Sequence, residues 1–319
     1  MKTQETNVTV GFYPKGDPGR RLFALWYFTP LLIMWTILGH TVLGFEQSWA
    51  QVVVGLVTGL SVQGLLEWVN AKTHGRPPRF QGGWPALADF LPPAIIPGLA
   101  CAMLLYPNEH LWPIAFAVAA SISSKVLIRA PLENGKTQHV FNPSNFGIVA
   151  TLLLLPWVGF APPYHFTRNL TGAWNWALPV VVLLSGVVVH AFFTGRLPLC
   201  AAWVGGFVLQ GLIRSWVFGS PWFTPLVPMT SAAFVIFTLY MVPDPATTPI
   251  RKPMQILFGL SVALVYGSLL VSHMVFGLFL ALAIVAALRG TGLYLKSALR
   301  RLEYVPSQES SDGTIVEAD

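Results

Sequence analysis

Two short polar stretches in this chain stand directly beside apolar runs, and both contain residue types that can hold a polar ligand. The first is FNPSN, where Asn142 and Asn145 open a run long enough to enter a bilayer. Asn is among the best N-cap residues, and Pro is favoured at the first helical position. We therefore expect Asn142 to cap a helix, Pro143 to begin it, and Ser144 and Asn145 to lie in its first turn.

The second stretch, DPATTP, repeats this order of residue types later in the chain. It predicts that Asp244 caps a helix, that Pro245 begins it, and that Thr247 and Thr248 occupy its first turn. The free N–H groups of a helix N-terminus suit carbonyl-rich or anionic ligands, and threonine hydroxyls can add further hydrogen bonds.

Two interpretations of these stretches remain open from the sequence. They could form one polar ligand site, or they could be two ordinary capped helix starts. Asp244 favours the first interpretation, because an ionisable residue at a membrane span is a functional candidate. An ion pair between Asp244 and Arg251 or Lys252 would explain the carboxylate equally well.

The composition of the chain indicates an integral membrane protein in contact with a lipid bilayer. Of its 319 residues, 54% are hydrophobic and only 10% are charged, and the mean hydropathy is +0.61. Soluble domains carry about 25% charged residues. The polar first twenty residues predict no cleavable signal peptide. Cys101 and Cys200 lie inside apolar runs, so neither a disulfide framework nor a metal site is expected.

Apolar windows of about 20 residues mark spanning helices, and they predict an all-α polytopic membrane protein with about ten of them. The predicted spans are 22–44, 48–70, 89–106, 110–128, 143–160, 174–193, 197–218, 224–242, 254–271 and 273–293. They form a membrane domain over 22–293, with halves of five at 22–160 and 174–293. Tails over 1–21 and 294–319 flank it, and the second tail is expected to be disordered.

The basic residues predict the orientation of these spans. If the N-terminus is cytoplasmic, all Lys and Arg other than Arg168 and Arg214 fall on the cytoplasmic side. Cytoplasmic loops are enriched in basic residues, so both termini are expected in the cytoplasm. The net charge of +6 is then a topological signal, and it requires no nucleic acid partner.

Prolines favour the interpretation that the two halves have inverted orientations. The third span begins with Pro92, Pro93 and Pro97, and the eighth, five helices later, begins with Pro225 and Pro228. Interrupted segments at corresponding positions of two halves point to a binding site in transporter folds. The alternative is that proline is simply commoner in membrane helices than in soluble ones.

The pairing of the two polar stretches resembles the NqrB/RnfD family, the membrane subunits of sodium-pumping NADH:quinone oxidoreductase and of the Rnf electron-transport complex. An NP-x-x-x-G motif is matched by Asn142, Pro143 and Gly147. The family's later DP motif is matched by DPATT at 244–248. The resemblance covers residues 20 to 292, and it implies a bacterial inner membrane protein that works with other subunits of a membrane redox complex.

The resemblance also implies flavin chemistry. Family members attach FMN covalently to a threonine in an outer-loop motif of the type [SD]-G-A-T. The corresponding loop here contains Thr167 and Thr171 without that motif, so covalent FMN is not expected. In this respect the chain is similar to a divergent branch found beside enediyne polyketide biosynthesis genes. The implied cofactor is FMN or riboflavin held non-covalently by the two motifs.

Three functions are therefore carried forward from the sequence. The first is an electron-transfer subunit that holds a non-covalent flavin and is coupled to ion transport. The second is a transporter or channel for a small solute or ion, without redox chemistry. The third is a membrane scaffold for a biosynthetic or respiratory complex. No phosphate-binding loop, dinucleotide-binding turn or hydrolase elbow is present, so no catalytic residue is predicted.

Overall fold

The computed structural model describes residues 18–132, 137–160, 170–230 and 232–303, and it is overwhelmingly helical. Eleven α-helices are described: α1 Pro18–Leu38, α2 Trp49–Thr73, α3 Gly83–Phe90, α4 Pro92–Leu104, α5 Trp112–Leu127, α6 Pro143–Leu154, α7 Trp174–Val188, α8 Leu197–Phe218, α9 Ala232–Ile236, α10 Lys252–Val271 and α11 Gly277–Glu303. Three short π-helices follow α1, α7 and α9: π1 Gly39–Leu43, π2 Val189–Thr194 and π3 Phe237–Met241.

The remaining regular structure consists of short pieces at the helix ends. Strands β1 Leu105–Tyr106 and β4 Gly159–Phe160 pair antiparallel, as do β2 Arg129–Pro131 and β3 Thr137–His139. Short 3-10 helices cover Arg79–Gln81 and Thr224–Thr230.

In the described part of the chain, seven helical segments are long and apolar enough to cross a membrane, which supports the predicted class of protein. They are Leu25–Leu43, Trp49–Thr73, Gly83–Leu104, Trp174–Thr194, Leu197–Phe218, Lys252–Val271 and Gly277–Arg300. Two further apolar helices, Trp112–Leu127 and Pro143–Leu154, are shorter. They lie within two of the remaining predicted spans.

The segment predicted as the eighth span, 224–242, differs from one continuous helix. It contains a 3-10 helix, the short α9 and π3 in succession. Pro225 and Pro228 lie in the 3-10 helix, where they remove N–H donors that an α-helix would need. The other proline-rich segment does become helical from Pro92 onward, with Pro97 inside α4.

Glycines allow the helices of the membrane body to approach closely. A Cβ on Gly55 would lie 2.5 Å from the Gly98 carbonyl oxygen, which fixes the spacing of α2 and α4. Gly259 makes a similar approach to the backbone of α8 at Leu199, at 2.6 Å. Small residues serve this purpose in membrane helices, where apolar burial alone does not drive association.

Tryptophans near the predicted outer ends of the spans are exposed on the protein surface, as an interfacial belt requires. They are Trp49, Trp112, Trp157, Trp174, Trp176, Trp216 and Trp222. The predicted turn at Ser272–His273 is present between α10 and α11, with His273 at φ 58°. Most of the two predicted tails and Thr167 lie outside the described residues.

Candidate functional site

The first polar stretch forms the helix start that the sequence predicts. The side chain of Asn142 accepts a hydrogen bond from the Asn145 backbone N–H at 3.1 Å, and Pro143 is the first residue of α6. Asn145 is 1% exposed, and its Nδ2 donates to the carbonyl oxygen of Phe279 in α11 at 3.0 Å. Asn145 therefore ties the start of α6 to a helix of the other half.

The second polar stretch does not start a helix, and this part of the prediction is wrong. Residues 243–250 form turns, and the next helix, α10, begins only at Lys252, with Arg251 at its N-cap. Pro249 explains the difference, because it has no N–H to donate and disfavours the α conformation of the residue before it. Asp244 instead caps a single turn, in which its Oδ1 accepts from the Ala246 N–H at 2.9 Å.

The two threonines hold this turn together. The hydroxyl groups of Thr247 and Thr248 donate to the Asp244 carbonyl oxygen at 3.3 and 2.7 Å. Their backbone N–H groups donate to the same oxygen, both at 3.1 Å. Both threonines are buried, so their polar groups stabilise the turn itself.

Two arginines donate hydrogen bonds that hold the turn in place. Arg196, which is 5% exposed, donates to Thr248 Oγ1 at 3.0 Å and to the Pro245 carbonyl oxygen at 3.4 Å. Arg289 of α11 donates to the Thr247 carbonyl oxygen at 2.9 Å. Burial lowers the pKa of the Arg196 guanidinium from its usual value, and the charge of Asp244 partly opposes that shift.

The two polar stretches meet through side chains. Asn142 Nδ2 donates a long hydrogen bond of 3.4 Å to Asp244 Oδ2. His139, at the end of β3, places its Nε2 at 3.9 Å from the same carboxylate oxygen. That distance is too long for a hydrogen bond, so the contact is electrostatic. Arg251 and Lys252, the alternative partners considered for Asp244, are exposed at the start of α10.

A cavity of about 160 Å³ lies where these groups meet. Its apolar wall comes from α1, α4, π2 and π3, and its polar side from α5, β3, α6 and the turn at Asp244. The residues that line it are Leu25, Phe28, Pro93, Ile96, Pro97, Lys125, His139, Asn142, Pro143, Ser144, Val189, His190, Thr194, Leu239, Tyr240, Pro243, Asp244, Pro245 and Ala246.

Proline leaves one carbonyl oxygen of the cavity wall without its helical partner. Pro97 stands four residues after Pro93 and has no N–H, so the Pro93 carbonyl lacks the bond of a regular α-helix. The Lys125 ammonium donates to this oxygen at 2.6 Å, and it also donates to Gln63 Oε1 at 3.2 Å. The hydrogen bond that Pro97 cannot form thus leaves an acceptor that holds a basic group at the cavity.

A second carbonyl oxygen of the cavity wall is bonded by a side chain from another segment. Leu239 lies in π3, where the last carbonyl groups have no helical partner, and its oxygen accepts from His190 Nε2 at 2.5 Å. The other ring nitrogen, Nδ1, is 2.6 Å from the hydroxyl oxygen of Thr194. Because a carbonyl oxygen only accepts, His190 carries a proton on Nε2. Single π-helical turns of this kind are frequent at functional sites.

The cavity separates the eight predicted site residues into two groups. Asn142, Pro143, Asp244 and Pro245 line it. The other four support the framework instead: Asn145 bonds to α11, and Thr247 and Thr248 hold the turn. A Cβ on Gly147 would collide with the Ala117 carbonyl oxygen, so this glycine allows α6 to pack on α5.

Three cavity residues with basic side chains were not predicted as site residues from the sequence: Lys125, His139 and His190. The sequence did indicate that Lys125 could belong to a site, since a lysine within a predicted span needs a polar partner. His139 and His190 lie near span ends, where an interfacial histidine is unremarkable. Their role in the cavity depends on contacts with residues of other segments.

Within the described residues, the site offers binding groups of both charges. An ammonium, a carboxylate, an amide and two imidazoles face a largely apolar space. No group of three or more His, Cys, Asp or Glu side chains in the described part of the chain is placed to hold a metal ion. The arrangement can bind a small molecule that has both an apolar surface and polar groups.

No protein-family model matches the chain, and no curated protein matches it.

Proposed function

We propose that this chain carries a small polar solute across the membrane and binds it in the cavity between its two halves. One observation carries the proposal: two proline-containing segments line the same cavity, α4 with Pro93 and Pro97, and the end of the eighth predicted span with Pro243 and Pro245 just after π3. Discontinuous helices at corresponding positions of two halves form the substrate sites of many secondary transporters.

The proposal includes ten membrane segments in two inverted halves of five. Equivalent pairs of segments pack together in both halves, which supports this division. In the first half, α1 packs on α4, α2 on α5, and α5 on α6. In the second half, the helices at the same positions pack in the same way: α7 on α9, α8 on α10, and α10 on α11. With the predicted orientation, the cavity faces the cytoplasm.

The volume of the cavity favours a small ligand. A dry cavity of about 150 Å³ in another protein holds one benzene molecule. A space of about 160 Å³ therefore suits a solute of similar size. Lys125 and Asp244 would bind its acceptor and donor groups.

Uptake into proteoliposomes tests the proposal. A thermal-shift screen of small amines, amino acids, carboxylates and sugars selects ligands, and labelled forms are then offered to vesicles that contain the purified chain. We expect saturable uptake that Asn142→Ser reduces, because Ser keeps the helix cap but removes the amide from the cavity. Asn70→Ser, in α2 and outside the cavity, is the matched control. Uptake equal to that of protein-free vesicles for the whole panel would contradict the proposal.

A second candidate is the electron-transfer subunit with non-covalent FMN or riboflavin. Stacked rings in the cavity wall favour it: Phe28 and Tyr240 have centroids 4.6 Å apart and planes 11° from parallel. Such a wall suits a planar ring system, and the Lys125 ammonium would stabilise a reduced, anionic flavin. The three-ring flavin is larger than the cavity, so this candidate requires the cavity to widen and ranks second for that reason. Other subunits of a redox complex would then supply and accept electrons.

Absorbance distinguishes the two candidates. Flavin-loaded protein would be yellow, and acid would release the chromophore. A denaturing gel would show no fluorescent band, because the attachment motif for covalent FMN is missing. A colourless preparation that also fails to bind added FMN or riboflavin would exclude the second candidate and leave the first unaffected.

A further inference from the structure

We infer that His139 and Asp244 together form a proton-binding site in the wall of this cavity. Both residues line the cavity, and Nε2 of the imidazole lies 3.9 Å from Oδ2 of the carboxylate. Histidine is the side chain whose charge ordinarily changes between about pH 5 and pH 8. When His139 is protonated, the pair is neutral. When His139 is neutral, the pair carries the negative charge of Asp244.

The position of the two groups makes this site more than a surface ion pair. The side chains of His139 and Asp244 are 8% and 17% exposed, so screening by solvent is limited. They come from different halves of the chain, β3 and the turn after π3. Their contact therefore joins the two halves at the cavity, beside the hydrogen bond from Asn142 to Asp244.

The framework around Asp244 keeps the carboxylate facing His139. One carboxylate oxygen, Oδ1, is used by the turn, where it accepts from the Ala246 N–H. The other, Oδ2, faces His139 and Asn142. Arg196 and Arg289 hold the backbone of the turn, so the turn that carries Asp244 cannot move away from His139 without breaking those bonds.

Other charged or titratable groups surround the pair and set the field in which it titrates. They are Arg196 before α8, Arg289 of α11, Lys125 of α5, His190 of π2, and Arg129 of β2, which is paired in register with His139. The positive charges of the lysine and the three arginines disfavour a further positive charge on His139, whereas the carboxylate of Asp244 favours it. Asp244 is therefore the partner that makes proton uptake by His139 possible.

The chemistry of the step is a simple proton uptake from water onto the imidazole, without any redox partner. Its consequence is a change of one charge in the cavity. A positively charged group of a bound solute would neutralise the same carboxylate, so such a solute and the proton oppose each other. This link to transport rests on the proposed function, but the proton site itself does not.

NMR of the full-length chain labelled only at histidine tests the site without any solute. The chain has 7 histidines, and His139→Gln identifies the resonance of His139 by its loss. We expect this resonance to titrate between about pH 5 and pH 8. Asp244→Asn should lower its midpoint by about one pH unit, because the imidazolium loses its counter-charge.

Two further variants keep the test decisive. Asp89→Asn removes a carboxylate that accepts from Trp26 Nε1 on α1, and it should leave the midpoint of His139 unchanged. Asp244→Ser retains an acceptor for the turn and replaces Asp244→Asn if that variant does not fold. A His139 resonance that does not titrate, or a midpoint that is the same with and without Asp244, would overturn the inference. Solute uptake is measured separately, so its failure would leave this result standing.

Discussion

The helix start at Asn142 and the turn at Asp244 meet in one cavity wall, although their backbones differ. Asn142 caps a helix that continues for 12 residues, and α6 packs tightly on α5. Asp244 caps a single turn, which depends on Arg196 and Arg289 for its shape. The first region is thus stabilised by its own helix, and the second by two arginines from distant segments.

This difference teaches that a cap motif determines where a chain turns but not whether a helix continues beyond the turn. In α6 the residues after Pro143 include no proline, so the helix propagates. After Asp244, Pro249 prevents the single turn from continuing as a helix. Substitutions should therefore affect the two regions through different partners, and the expected effects can be ordered by size.

The largest effect is expected at Arg196. Arg196→Ala should lower the free energy of unfolding by about 3 kcal/mol or more, because it leaves buried acceptors of the turn unpaired and removes the cation near Asp244. Thermal unfolding in detergent measures the loss. Arg251→Ala is the matched control, since Arg251 is exposed at the N-cap of α10. Equal stability of the two variants would show that the turn does not depend on the hydrogen bonds from Arg196.

The next effect tests the packing of the first region. Gly147→Ala should cost about 1–3 kcal/mol, because its Cβ would collide with the Ala117 carbonyl oxygen. Gly64→Ala has no neighbour within 4 Å of the new Cβ, and it should be neutral or stabilising by up to about 1 kcal/mol. The same unfolding measurement compares them. A Gly147→Ala variant as stable as the parent would mean that α6 can move away from α5.

A smaller effect is expected from the helix cap itself. Asn142→Ala should cost about 1 kcal/mol, because the Asn145 N–H loses its acceptor. Asn142→Ser should restore most of this stability. Parent, Ala and Ser variants are compared by thermal unfolding in detergent. If Ser proved as destabilising as Ala, the contact of Asn142 with Asp244 would matter more than the cap.

The smallest change in stability is expected for Asp244→Asn. The amide oxygen still accepts from the Ala246 N–H, so the turn should lose less than about 1 kcal/mol. The same variant should lower the titration midpoint of His139. A stability loss as large as that of Arg196→Ala would show that the negative charge of Asp244, rather than its capping geometry, holds the turn.

Much of the architecture could be predicted from residue types alone. Low charge and long apolar runs indicate membrane helices, because no other common environment tolerates them. The helix start at Asn142 could be predicted from local capping preferences, which need only neighbouring residues. The absence of a helix after Asp244 could also have been predicted from the sequence, because Pro249 disfavours helical backbone at the residue before it.

The cavity could not be predicted in this way. A helical repeat shows which residues share a face, but not which neighbour that face will meet. Asn145 and Thr247 looked equivalent to Asn142 and Asp244 in sequence, yet they bond to α11 and to the turn backbone. Lys125 entered the site because Pro97 had freed a carbonyl oxygen on another helix.

The sequence on its own determined the membrane class, the helix start at Asn142 and the presence of polar groups beside apolar segments, since all of these depend on local composition and backbone chemistry. The tertiary structure decided that His139, Asn142 and Asp244 share one cavity wall. Their proximity depends on contacts between segments far apart in the chain, where close approach at glycines and hydrogen bonds from Arg196 and Arg289 fix the distances.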